Sequence, residues 1–92
     1  MQKVVLSKPF SFEDKEYKEL SIDLDSLTGR DIINATQEAR ALEGPTPVPE
    51  LSKAYQAVIA AKAAKVPVEM LLKLPAKDFS KITLLVENFL LD

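Results

Sequence analysis

Residues 75–91, PAKDFSKITLLVENFLL, form the longest uninterrupted helical pattern in the sequence, and we expect the other segments to pack against it. Pro75 suits a first helical turn because its missing N–H has no partner to lose, and Asp78 places negative charge near the positive end of the helix dipole. The core-facing positions follow the i, i+3, i+4, i+7 spacing of an amphipathic helix: Phe79, Ile82, Thr83, Val86, Phe89 and Leu90.

Leu84 and Leu91 lie off this stripe, on a separate ridge seven residues apart. One interpretation is that the N-terminal segment or a run of alanines at 57, 60 and 64 covers them, because a C-terminal helix in so small a domain can be buried on several sides. The other is that they form a groove or self-association surface for an amphipathic partner helix. The sequence leaves both open.

Length and composition limit the architecture and the class of function. A chain of 92 residues makes one domain over 1–92 and buries only roughly two-thirds of the surface that its unfolded form exposes. Hydrophobic residues make up 47% of the chain and include ten alanines, a composition that favours helix. Twelve basic residues against 14 acidic ones give a net charge of -2, which argues against a nucleic-acid partner.

The sequence offers little for catalysis or cofactor binding. It has no cysteine and no histidine, so thiolate chemistry, zinc thiolate sites and the usual general base are excluded. Its two glycines cannot build a nucleotide-binding loop. Asp23 and Asp25 resemble the start of a calcium loop, but such a loop needs glycine where Thr28 stands and glutamate where Asn34 stands. We therefore expect no enzyme activity, cofactor, metal or small-molecule substrate.

The sequence also indicates no secretion signal and no membrane span. The first eight residues contain too few apolar side chains for a signal-peptide core, and no window approaches the ~18 apolar residues of a spanning helix. A soluble intracellular protein without a membrane partner is the expectation.

The first 25 residues predict a β-hairpin. Two runs alternate apolar and polar residues with the period of a half-buried strand, and the polar turn at 13–16 separates them. Pro9 fits only an edge or a bulge, which makes the first strand the less regular one. The apolar positions are Val4, Leu6, Phe10, Phe12, Leu20, Ile22 and Leu24.

A helix is predicted over 28–43, with Thr28 and Asp31 as a capping pair and Gly44 ending it in the left-handed conformation. Its apolar stripe comprises Ile32, Ala35, Thr36, Ala39 and Leu42, and Ile33 falls outside it. Pro45, Pro47 and Pro49 then favour extended backbone over residues 44–49, so we expect a semi-rigid loop that offers a contact surface.

Two more helices precede the last one. Residues 50–65 place Leu51, Ala54, Tyr55, Val58 and Ile59 on one side, and Ala57, Ala60, Ala61 and Ala64 form a flank on which another helix can pack closely. A break at 65–67 leads into a short helix over 67–73. The predicted fold is therefore α+β and predominantly helical, with an N-terminal hairpin on three main helices and one short helix.

Several short motifs follow one another along nearly the whole chain: Phe10-x-Phe12 with Tyr17, Leu27–Asp31, Val48–Gln56, Ala60–Pro67, Leu74–Phe79 and Asn88–Leu90. In their order and spacing they resemble the small tail assembly chaperones of contractile-tailed, Mu-like and related bacteriophages and prophages. The turn carries Glu13-Asp14-Lys15 where the resemblance leads us to expect a central glycine.

This resemblance implies a non-enzymatic helper that binds the tape measure protein, keeps it soluble in the host bacterial cytoplasm, and is absent from the mature virion. It also implies that a longer form made by ribosomal frameshifting often accompanies the short one. The alternative is a structural or regulatory interaction module of the same phage origin, including a homo-oligomeric virion component. In both cases the candidate partner-binding residues are Leu84, Leu91, Ile33, Pro45, Pro47 and Pro49.

Overall fold

The computed structural model describes residues 2–45 and 47–91. A two-stranded antiparallel hairpin is followed by four α-helices and two 3₁₀ turns, so the predicted α+β, predominantly helical fold is confirmed. The elements are β1 (Gln2–Phe12), β2 (Lys15–Ile22), a 3₁₀ turn (Leu24–Ser26), α1 (Gly29–Glu43), a second 3₁₀ turn (Pro49–Leu51), α2 (Lys53–Ala64), α3 (Val68–Leu72) and α4 (Ala76–Leu91).

The hairpin has a two-residue turn, and its first strand is irregular near Pro9, as the sequence predicts. Glu13 and Asp14 both have positive φ, 49° and 63°, as a type I′ turn requires. Val5 pairs with Glu19 and Phe10 pairs with Tyr17, so the register shifts across the segment of β1 that contains Pro9. The expected irregularity is confirmed. One detail is corrected: β2 ends at Ile22, and Leu24 is buried in the following 3₁₀ turn.

The central element is α2, which corrects the expectation that the chain packs around residues 75–91. Residues 55–61 of α2 are all buried, and the helix contacts α1, α3, α4, β2 and both 3₁₀ turns. A helix that is covered on all sides has no polar face to produce a strong periodicity, so the sequence pattern understates its role. In the predicted close-packing flank, Ala57, Ala60 and Ala61 are buried, and Ala64 is half-buried at the end of the helix.

Helix α1 begins at a reciprocal capping box. The Thr28 N–H donates to Asp31 Oδ2 at 2.9 Å, and the Asp31 N–H donates to Thr28 Oγ1 at 3.4 Å. Gly44 ends the helix with φ 86° and ψ −178°. This positive φ suits glycine, but the extended ψ differs from the left-handed helical conformation that we expected.

Three apolar positions expected in the core are exposed: Leu42, Leu51 and Phe89. Leu42 and Phe89 lie in the last turns of α1 and α4, where a side chain has helix neighbours on one side only. Leu51 lies outside α2, because Ser52 caps that helix by accepting a hydrogen bond from the Tyr55 N–H at 3.2 Å. The Ser52 hydroxyl also donates to the Glu43 carboxylate, which closes the proline-rich loop between α1 and α2.

Candidate partner-binding site

Helix α4 is anchored at its first turn by a fully buried carboxylate. Asp78 accepts hydrogen bonds from the Ser7 N–H at 3.0 and 3.2 Å, one to each carboxylate oxygen, and from the Ser7 hydroxyl at 2.9 Å. Ser7 lies in the irregular segment of β1, where the hairpin ladder is interrupted. The carboxylate therefore supplies a partner for a strand N–H and ties the start of α4 to the hairpin.

Two further polar contacts fix the rotation of α4 against α2. Lys53 Nζ donates to Thr83 Oγ1 at 2.9 Å, and Gln56 Nε2 donates to Glu87 Oε1 at 3.1 Å. Both contacts lie beside the buried side chains Ile82 and Val86. Because these contacts set which side of α4 faces α2, they also set which side faces solvent.

The solvent side of α4 carries a regular row of exposed residues that we name the α4 ridge. Leu84 is 52% exposed and Leu91 is 60% exposed, so neither the hairpin nor the alanine flank covers them. Successive members of the row are four or three residues apart, which places them on one face of the helix. The α4 ridge consists of Lys77, Lys81, Leu84, Asn88 and Leu91.

A groove of about 580 Å³ lies beside the ridge, between the C-terminal half of α4 and the end of the hairpin. We name it the terminal groove. Its apolar wall includes Leu85 and the 40%-exposed Phe89, and Leu91 belongs to both the groove and the ridge. The other lining residues are Gln2, Ile22, Leu24, Asp25 and Asn88. Together, the ridge and the groove give the end of α4 a larger apolar surface than two leucines alone would provide.

The terminal groove has no signature in the local sequence patterns. Ile22 and Leu24 were predicted as hairpin core, and Phe89 as part of the core stripe of α4. The groove exists because residues more than 60 positions apart in the sequence line the same space, as Ile22 and Leu85 do. No local pattern carries that information, although the surplus of apolar residues in α4 was a usable signal.

The other predicted binding residues lie elsewhere. Ile33 is 53% exposed on α1, the helix that packs on α2. It belongs neither to the terminal groove nor to the α4 ridge. Pro45 and Pro47 are exposed. Pro49 is half-buried in a 3₁₀ turn that contacts both α2 and α4, so this proline also has a packing role.

The α4 ridge and the terminal groove offer exposed apolar side chains that another molecule could contact. In the ranges 2–45 and 47–91, no group of three or more acidic side chains could hold a metal ion. None of the helices within these ranges combines the length and the hydrophobicity of a membrane-spanning segment. Burying a largely exposed leucine in an interface is worth roughly 1–2 kcal/mol, so a few such side chains can support specific binding to an apolar partner.

Comparison with known proteins assigns the family. The chain matches the family model described as "Phage tail assembly chaperone proteins, E, or 41 or 14" over residues 3–91. No curated protein and no solved structure shows a significant match. The family match covers the hairpin from Lys3 onward, the four helices and the α4 ridge, together with every lining residue of the terminal groove except Gln2. The chain therefore belongs to the phage tail assembly chaperone family.

Proposed function

We propose that this protein binds the tape measure protein and keeps it soluble while the tail is assembled. The observation that carries the proposal is the exposed apolar surface at the end of α4, where Leu84, Phe89 and Leu91 project beside the terminal groove. An exposed apolar patch on a small soluble domain is typical of a protein-interaction site. Membership of a tail assembly chaperone family makes a tail protein the partner to expect.

The chaperone acts by covering apolar surface, and no chemical step is part of this proposal. A long helical protein that awaits assembly exposes apolar faces to water and aggregates through them. Covering such a face with the end of α4 removes apolar area from water on both proteins. With 28% charged residues, the chaperone itself presents a well-hydrated outer surface.

Co-expression with the tape measure protein of the same phage tests the proposal. We expect the soluble fraction of the tape measure protein to rise severalfold when the chaperone is present, and the two proteins to co-purify. An unchanged soluble fraction and no co-purification would contradict the proposal.

We further propose that the protein acts in the host bacterial cytoplasm and leaves before the virion is complete. Mass spectrometry of purified particles should then detect the tape measure protein but not this chain. Stoichiometric amounts of this chain in particles would instead support a structural virion component.

A further inference from the structure

The α4 ridge has the spacing of a coiled-coil seam and an uneven distribution of charge. Its residues follow one another at intervals of four, three, four and three, which is the heptad spacing of core positions. Leu84 and Leu91 occupy equivalent heptad positions, with the polar Asn88 between them. The ridge spans about 21 Å, at ~1.5 Å per residue, which suits a partner helix of four turns.

The two halves of the ridge differ in chemistry. Lys77 and Lys81 form the N-terminal half, and within residues 2–45 and 47–91 neither makes an ion pair. The leucines form the C-terminal half, and the last turn of α4 contains no basic residue. Asp25, on the groove beside this half, adds a negative charge there. A partner that fits this surface needs acidic side chains at one end only.

A second copy of the chain does not match this pattern. Two ridges side by side in parallel would bring Lys77 against Lys77 and Lys81 against Lys81, and like charges in such positions repel. Two antiparallel ridges centred on Leu84 would place each Lys77 opposite Leu91 and each Lys81 near Asn88 and Glu87, whose carboxylate already accepts a hydrogen bond from Gln56. That arrangement packs two ammonium groups against leucine and leaves only one leucine pair in contact.

We propose that the α4 ridge binds one amphipathic helix of the tape measure protein, with apolar residues facing Leu84 and Leu91 and acidic residues alongside Lys77 and Lys81. This inference rests on the proposed function and adds the chemistry and position of the bound segment. Polar seam positions such as Asn88 and Lys81 reduce affinity for wholly apolar helices, so they select among the many helical segments of a long partner.

Charge reversal tests the inference. Lys77→Glu with Lys81→Glu should weaken binding to the co-purified tape measure protein about tenfold or more at low salt, and the loss should shrink as salt rises, because screening weakens exposed charge pairs. The matched control, Arg30→Glu with Arg40→Glu on the exposed face of α1, makes the same change in net charge and should bind like the wild type.

A peptide series locates and confirms the contact. Overlapping peptides of about 25 residues from the tape measure protein should include a binding segment with clustered acidic residues. Replacing those acidic residues with lysine should weaken binding to the wild type and restore binding to the Lys77→Glu, Lys81→Glu variant.

The outcomes separate the two proposals. Wild-type binding to the tape measure protein with no loss on charge reversal would overturn the ridge assignment and leave the proposed function standing. Failure of the wild type to bind that protein at all would overturn both. The ridge assignment would also be overturned if the Lys77→Glu, Lys81→Glu variant and the α1 control lost the same amount of affinity, because only net charge would then matter.

Discussion

Asp78 is an acidic residue with no exposure to solvent. The hydrogen bonds that its carboxylate accepts from β1 all come from Ser7. Burial of a carboxylate is costly unless hydrogen bonds replace its lost hydration, and the N–H and hydroxyl of Ser7 provide that replacement through three hydrogen-bond contacts. The sequence identified Asp78 only as an acid in a first helical turn. Its partner lies 71 positions away, and no local spacing relates the two.

We expect Asp78→Ala to lower the free energy of unfolding by about 2–4 kcal/mol, because it leaves the Ser7 N–H without its charged acceptor. Ser7→Ala, which removes only the hydroxyl contact, should cost about 1 kcal/mol. Urea unfolding monitored by circular dichroism measures both. The exposed Asp25→Ala is the control and should change stability by no more than about 0.5 kcal/mol. A stable Asp78→Ala variant would show that the anchor is dispensable.

Thr28 acts at the start of α1, away from the α4 ridge. Replacing it with alanine removes an acceptor for the Asp31 N–H and should cost roughly 1 kcal/mol without altering partner binding. Thr28→Ser retains the oxygen and should remain close to the wild type. An unfolding midpoint of Thr28→Ala that equals the wild-type value within error would refute a stabilising role for this cap.

At the level of elements, the positions and types of the strands and main helices were predictable because their signals are local. Alternation, proline, capping residues and helical spacing each act over a few residues. The centrality of α2 was not predictable in this way. Its small alanine side chains contribute to the core only because other elements pack closely against them, and α2 contacts six such elements.

The proline-rich loop joins α1 to α2, and its prolines differ in exposure. Replacing Pro45, Pro47 and Pro49 with serine should weaken partner binding more than it lowers stability, if the loop offers a preformed contact surface. The separate variants Pro45→Ser with Pro47→Ser, and Pro49→Ser alone, divide the effect, because Pro49 lies in the turn packed on α2 and α4. Equal losses of binding and stability would make the loop purely structural. Calorimetry of unfolding and of binding supplies both values.

At the scale of the whole molecule, the two ends of α4 have different roles. Its first turn is tied to β1 through Asp78, and its middle is held on α2 through Thr83 and Glu87. The ridge and the terminal groove therefore stand on a helix that is fixed by contacts on its opposite side. Changes at the exposed leucines should consequently affect association without affecting the core.

Leu84→Lys combined with Leu91→Lys tests this separation directly. Both side chains are more than half exposed, so the double variant should fold and lose no more than about 0.5 kcal/mol of stability per site. If these positions were buried, two unpaired lysines would cost several kcal/mol each and unfold a domain whose total stability is ~5–15 kcal/mol.

Thermal unfolding, sedimentation and co-purification with the tape measure protein should be measured on that variant and on a matched control. The control is Ile33→Lys with Leu42→Lys, which places two lysines at exposed apolar positions of α1. We expect both variants to fold, and only the α4 variant to lose the partner. Sedimentation also shows whether any self-association of the wild type uses the same leucines. If the α4 variant is unfolded, or if it folds and still binds fully, Leu84 and Leu91 are excluded as the interaction surface. Loss of the partner by the α1 variant would place a contact at Ile33 as well.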